Sequence, residues 1–256
     1  MKKIITVVDL TRMSKLNVCV AGYTEDGVCI RPVLPRGPLN EKWLWSETPS
    51  IKEPVVRPFA VVEIDVLDIR PTTTPPHTED WPLRTFQRVS HRLLTDDQRK
   101  NLLRETLYRS VEDIFGATLY GEVRGYVTAG DGQRSLGTIE PKGIWKVHFD
   151  EKYATYRLYF VDRAEKWYDL AINDMALRDY LYYSRIKTGK SPHELAEEMT
   201  ANLKTKQVYL RIGLARHFPA QPDRCYLQIT GVYSFPDYLE GRCFADFVID
   251  NPDISD

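Results

Sequence analysis

The sequence predicts a mainly β protein with helical insertions, an α+β chain in which two OB-like β-barrels follow one another. Between residues 144 and 234, three short segments, a helical stretch and two more short segments follow in that order. The short segments are apolar at alternate positions or rich in aromatic residues, which is typical of half-buried strands. The order β-β-β-α-β-β is that of the OB-fold, a small Greek-key barrel whose face and loops hold nucleic acid or oligosaccharide.

The second predicted domain covers residues 131–256, with strands at about 144–170 and 207–234 and helices at about 174–203. The individual strands are expected at 144–149, 156–161, 166–170, 208–214 and 225–232. A capping box formed by Ser191 and Glu194, with Pro192 between them, predicts the start of a helix.

The first predicted domain covers residues 1–130 and is an OB-like barrel with a helical insertion. A strand is expected from Ile4 to Leu10, and the next segment predicts a hairpin that pairs Thr24 with Val28 around a left-handed Gly27. The remaining elements are a strand at 59–69, an extended loop at 71–82, a helix at about 95–116 with a Thr95–Gln98 capping box and a terminal Gly116, and a closing strand at 122–127.

The composition limits the classes of function. The net charge is −1, so any surface that binds phosphates must be local rather than spread over the molecule. No run of about 18 apolar residues is present, which argues against a membrane span. The start of the chain, charged and then apolar up to Asp9, favours a first strand over a signal peptide. We therefore expect a cytoplasmic protein.

The four cysteines, Cys19, Cys29, Cys225 and Cys243, form no CxxC pair, which argues against a structural zinc site. In the predicted hairpin, Cys19 and Cys29 are offset by four residues, roughly 13 Å along the ladder. A disulfide requires Cα atoms within about 7 Å. We predict four free thiols.

Candidate binding residues follow from the OB-fold, which uses strands two and three and two loops to hold its ligand. Nucleic acid requires cations for phosphates and exposed aromatic faces for bases. In the second barrel these positions are held by Lys152, Arg157, Tyr159, Trp167, Arg216, His217 and Phe218. In the first barrel they are held by Arg12, Lys15, Tyr23 and Arg31. The competing interpretation is that each is an ordinary solvated residue or an aromatic covering a barrel edge.

Several stretches resemble the dual OB-containing domain family, which is found mainly in bacteria and archaea. They are residues 17–33 with the sequence IRPV near their end, Ser135–Ile139, Tyr168–Asp174, Arg211–Arg216 and Cys225–Gly231. The resemblance implies two OB barrels in one chain and a role in nucleic-acid binding. It supplies no catalytic residues, and residues 71–130 fall outside it.

Three functions remain open. The sequence favours a non-catalytic binding module for single-stranded or structured nucleic acid, because no phosphate loop or nucleophile elbow is present. No cofactor is expected, and no metal is expected because no histidine forms an i, i+4 pair with another histidine or a cysteine. The second is an adaptor that docks a partner enzyme. The third is a metal-dependent hydrolase acting through Glu63 and Asp65, which share one side of a predicted strand.

Overall fold

The computed structural model describes residues 1–13, 16–35, 37–46, 53–67, 74–89 and 94–248. It confirms the predicted fold class, because these residues are mainly β with four α-helices. The strands are β1 (Lys2–Arg12), β2 (Asn17–Tyr23), β3 (Cys29–Val33), β4 (Leu39–Asn40), β5 (Val61–Val66), β6 (Asp80–Arg88), β7 (Leu107–Tyr108), β8 (Tyr126–Thr128), β9 (Leu136–Ile139), β10 (Gly143–Asp150), β11 (Thr155–Val161), β12 (Trp167–Ala171), β13 (Gln207–Leu214) and β14 (Arg224–Phe235). The helices are α1 (Asp96–Glu105), α2 (Val111–Phe115), α3 (Met175–Thr188) and α4 (Pro192–Lys204).

The first half is a closed barrel of five strands. The order β1-β5-β6-β3-β2 returns to β1, since β1 pairs with β2 on one edge and with β5 on the other. β3 and β6 run parallel, and the other neighbours around the ring are antiparallel. Alternate side chains of these strands fill the interior, which contains Ile5, Val20, Ile30, Val62 and Ile64.

The strand that closes this barrel is β6, and the prediction of a closing strand at 122–127 is wrong. β8, which overlaps that segment, pairs instead with β14 in the second half. β6 was not predicted from the sequence, because Pro82 lies inside it and its later positions carry Arg84, Gln87 and Arg88. Pro82 is tolerated at this point of the ladder, opposite Val33, near the start of the strand.

The second half is an open half-barrel made of two sheets. One sheet is β10-β11-β12 and the other is β7-β9-β13-β14-β8. A parallel bridge from Ile172 to Ile229 connects the end of β12 to β14, and both sheets share one apolar core. In the described residues β13 pairs with β9 and β14 and makes no ladder with β10, so this barrel does not close by strand pairing.

The helix predicted at 95–116 is two shorter helices. Thr95 and Gln98 form the predicted capping box at the start of α1, and Gly116 ends α2 with φ +60°. Between them, β7 pairs with β9, and Ser110 caps α2 by accepting a hydrogen bond from Asp113 N. The helices predicted at about 174–203 are α3 and α4, and a left-handed Gly189 ends α3. The Ser191–Glu194 capping box then starts α4 as predicted.

Other local expectations are also met. Thr24 N donates to Val28 O at 3.0 Å and Gly27 has φ +79°, as the hairpin requires. All four cysteines are free thiols. Among the described residues, every helix is too short or too polar to cross a lipid bilayer.

Candidate functional site

Three aromatic side chains lie together on the outer face of the sheet β10-β11-β12. The ring of Trp167 lies 5.0 Å from that of Tyr159 and 6.2 Å from that of Trp145, measured between centroids. Trp145 is 58% exposed and Trp167 is 39% exposed, so both present ring surface to solvent. We call this group, Trp145, Tyr159 and Trp167, the aromatic platform.

The platform depends on an irregularity in β10. The pairing register of β10 with β11 shifts between Ile144 and Lys146, so Trp145 is an extra residue in the ladder. Without this bulge, strict alternation would place Trp145 on the same face as the buried Val147. Sequence reasoning missed Trp145 for this reason, although its neighbours Tyr159 and Trp167 were identified.

Two lysines lie beside the platform. Lys204, at the end of α4, places its ammonium 5.7 Å from the centre of the Trp145 ring. Lys146 is exposed and stands opposite Tyr159 in the ladder. Sequence reasoning missed both lysines. Lys204 reaches the face only through the packing of α4 on β10.

The same face continues into a group of paired charges centred on Asp169. Its carboxylate is 2.8 Å from His148 Nε2 and accepts hydrogen bonds from Arg157 and Arg124, both at 3.2 Å. Burial favours a higher pKa for Asp169, but the hydrogen bond from His148 and the charge of Arg157 outweigh it and lower that pKa. The carboxylate therefore stays charged and fully engaged, and it orders the centre of the face.

A second aromatic group lies beyond the β12 edge. Asp169 N donates to Val123 O at 2.8 Å, which sets the segment leading to β8 beside β12. The rings of Tyr120 and Tyr126 are stacked at 5.6 Å, and the Arg224 guanidinium lies 4.7 Å from the centre of the Tyr126 ring. Aromatic surface thus occurs on both sides of the charged group.

The predicted site residues of the second half are divided among different surroundings. Tyr159 and Trp167 belong to the platform. Arg157 was expected to face solvent, but its side chain is only 8% exposed, because Asp169 and Asp150 hold it against the sheet. Lys152 is exposed in the β10–β11 turn, at the far end of the hairpin from Trp145, where it lies over the ring of Tyr153.

The predicted loop residues Arg216, His217 and Phe218 are exposed, but none contacts the platform. Arg216 donates to Asp80 of the first barrel at 2.5 Å. Phe218 is 54% exposed and makes a bridge with Gln221 inside its own loop. Arg216 therefore belongs to the side of the second half that meets the first barrel.

In the first barrel, the two predicted strand residues are buried rather than presented to a ligand. Tyr23 accepts a hydrogen bond from Arg211 Nη1 at 2.8 Å, and Arg31 donates to Asp80 and to Ser135. The expectation that these side chains face solvent is wrong, because β9, β13 and β14 of the second half cover this face. Asp9 is buried at the same seam and binds Arg211 Nη2 at 2.6 Å.

The two predicted loop residues of the first barrel offer no free cation in the described part of the chain. Arg12 forms ion pairs with Glu41 and with Asp179, the latter at 2.8 Å. Lys15 lies outside the described residues. None of the predicted first-barrel residues that the structure describes joins the aromatic platform.

The carboxylates of the hydrolase hypothesis are engaged in surface ion pairs. Glu63 binds Lys2 at 2.7 Å, and Asp65 binds the N-terminal ammonium at 3.1 Å and Arg84 at 3.7 Å. Within the described residues no three His, Cys, Asp or Glu side chains are grouped to hold a metal ion.

No protein-family model and no curated protein matches the chain. The geometry of the aromatic platform is therefore the basis for a functional proposal.

Proposed function

We propose that the chain is a binding protein whose open second barrel holds single-stranded nucleic acid on the aromatic platform. The observation that carries the proposal is the grouping of Trp145, Tyr159 and Trp167 on one face, with two of the three rings substantially exposed. Every nucleobase has a face that can stack on such a ring, so the site suits a strand of varied sequence.

Charge near the platform fits a short contact with the phosphate backbone. Lys146 and Lys204 lie beside the rings without a carboxylate partner among the described residues. The arginines of the same face are paired with Asp150 and Asp169, and their charges are largely balanced. We therefore expect stacking to supply most of the affinity and two phosphate contacts to supply the rest.

The resemblance to the dual OB-containing domain family supports the same proposal. That family implies two OB barrels with a nucleic-acid role, and OB-folds hold their ligands on the corresponding strands. The platform occupies the first three strands of the second barrel. The first barrel, whose equivalent face is buried, then acts as the support for the binding half.

One observation favours the adaptor alternative. Exposed tryptophan and tyrosine next to paired arginine also compose the anchor regions of protein interfaces. The near balance of charge around Asp169 also suits a protein partner. The two functions differ in their dependence on salt, because only nucleic acid releases condensed counterions.

Fluorescence anisotropy with labelled single-stranded DNA and RNA oligomers tests the proposal. The wild type should bind, and its affinity should fall about sevenfold between 50 and 200 mM salt for two phosphate contacts. Trp167→Ala and Trp145→Ala should each weaken binding about tenfold, because one stacked base contributes about 1–3 kcal/mol. The double variant Lys146→Met/Lys204→Met should flatten the salt dependence.

The matched control is Tyr182→Ala, which removes a 45% exposed aromatic ring from α3, away from the platform. It should bind like the wild type. Absence of binding at micromolar protein in low salt would refute the nucleic-acid proposal and favour the adaptor. Equal losses in the platform variants and the control would show that the platform is not the site.

A further inference from the structure

A second candidate site is a cavity at the seam between the two halves. Its volume is about 50 Å³, several times the ~10–15 Å³ that a cavity needs to hold one water molecule. Residues 57–59 before β5 form one wall, Arg99 of α1 forms another, and the end of β14 with residues 237–243 completes it. The cavity is partly open to solvent and fits a group of a few heavy atoms.

Arg57 is the unusual side chain of this cavity. Its Nε is buried without a hydrogen-bond acceptor in the described structure. Its Nη1 is 3.8 Å from the Cys243 sulfur, which is a weak acceptor. A guanidinium binds carboxylate or phosphate oxygens well, and Arg57 has no carboxylate partner among the described residues.

The other charges of the cavity differ from Arg57. Arg99 is paired with Asp237 at 3.4 Å and with Asp96 at 3.8 Å. Arg242 lies 5.3 Å from the centre of the Phe247 ring, and its nearest carboxylate, that of the exposed Glu240, is 4.0 Å away. Arg57 and Arg242 are therefore able to bind an anion, whereas the charge of Arg99 is neutralised by Asp96 and Asp237.

The balance of charge in the lining favours an anion. Three guanidinium groups face two carboxyl groups, those of Asp174 and Asp237. Burial raises the pKa of Asp174 to about 7, so at neutral pH this carboxyl is partly protonated. Asp237 is occupied by Arg99 and by the backbone N–H groups of Leu239 and Gly241.

The backbone at Phe59 is also typical of a ligand clamp. Phe59 has φ +63°, a left-handed conformation that is rare for a bulky side chain and that recurs at binding sites. Phe59 N donates to Val7 O at 2.7 Å, and its ring packs on Tyr233 at 4.7 Å. These contacts fix the backbone two residues after Arg57.

We propose that this cavity binds a compact oxyanion, a phosphate or the carboxylate of a small molecule, with Arg57 as the main donor and Arg242 at its rim. The forked guanidinium matches both anions, and apolar walls such as Pro58, Phe235 and Leu239 shield the contact from water. Because both halves form the cavity, the bound anion stabilises their docking.

Calorimetric titration and thermal unfolding of the full chain test this site, with sodium phosphate, acetate and chloride at equal ionic strength and pH 7. Saturable binding of phosphate or acetate, with a raised Tm, supports the proposal, and the stronger of the two identifies the source of the oxyanion. Arg57→Met should weaken that binding about tenfold or more. Arg163→Met, which removes an exposed arginine elsewhere, should leave it unchanged.

Two results would overturn the proposal. One is a wild type that responds to phosphate and acetate only as it responds to chloride. The other is a folded Arg57→Met protein that binds as tightly as the wild type. If Arg57→Met does not fold, Arg242→Met replaces it, with an expected loss of several-fold, and unchanged binding in that variant counts against the site.

Discussion

The two barrels share an order of strands but differ in closure and in what covers them. The first barrel closes through the β1–β2 and β3–β6 pairs, and its outer face at Tyr23 and Arg31 is buried under the second half. The second barrel stays open, and the corresponding face carries the aromatic platform. The comparison shows that position in the fold does not decide which residues are able to bind, because packing between the halves removes one face from solvent.

Hydrogen-bond partners cover the strand edges at which the second barrel stays open. Val147 N in β10 donates to Thr200 Oγ1 of α4 at 2.8 Å, and β9 occupies the edge of β13 that would otherwise meet β10. Thr200 of α4 therefore supplies a polar partner at the edge of β10, and β9 supplies the partners at the edge of β13. In the first barrel the two corresponding edges pair with each other.

The largest expected effect comes from breaking the seam that covers the first barrel. Arg211 is fully buried and binds Asp9, Tyr23 and Thr138. Arg211→Met leaves Asp9 as an unpaired buried charge, so the free energy of unfolding should fall by about 3–5 kcal/mol. Urea denaturation followed by fluorescence measures this change.

The double variant Arg211→Met/Asp9→Leu is the control for that experiment. It removes both charges, and it should recover much of the loss because a buried apolar pair replaces a buried ion pair at little cost. A loss below about 1 kcal/mol in the single variant would show that water reaches the seam.

Removing one hydroxyl from each barrel sharpens the comparison. Tyr23→Phe deletes an acceptor for the buried Arg211, and a hydrogen bond to a charged group contributes about 1.5–3 kcal/mol. Tyr159→Phe deletes a hydroxyl on the platform and should change stability by less than about 0.5 kcal/mol. Equal effects, measured by urea denaturation under the same conditions, would mean that the two faces are equally exposed.

The sequence predicts the second half well because its signals are local. The strands β10 to β14 show alternation or aromatic enrichment, and α4 carries its capping box in four consecutive residues. The Thr24–Val28 hairpin was predictable for the same reason, since Gly27 fixes the turn. These features depend on residues that are neighbours in the chain.

The errors concern features that depend on distant contacts. β6 contains a proline and few apolar residues, so only its pairing with β3 and β5 identifies it. The burial of Tyr23 and Arg31 requires the second half to be in place. The platform was found in part, because the bulge that turns Trp145 outward appears only in the pairing of β10 with β11.

The last comparison adds one methyl group to a glycine in each barrel. In the closed barrel, a Cβ at Gly22 would collide with the carbonyl oxygen of Thr6, a backbone atom of the β1–β2 pair. Because a backbone contact does not yield easily, Gly22→Ala should lower the free energy of unfolding by about 1–3 kcal/mol.

In the open barrel, the equivalent change is tolerated. A Cβ at Gly143, at the start of β10, would have Val161 Cγ1 as its nearest neighbour at 3.6 Å, an ordinary van der Waals contact. Alanine also reduces the conformational freedom of the unfolded chain, so Gly143→Ala should raise stability by about 0.4–1 kcal/mol. Thermal and urea unfolding of the two variants should therefore give shifts of opposite sign. A loss at Gly143 as large as that at Gly22 would show that the start of β10 is packed as tightly as the closed barrel.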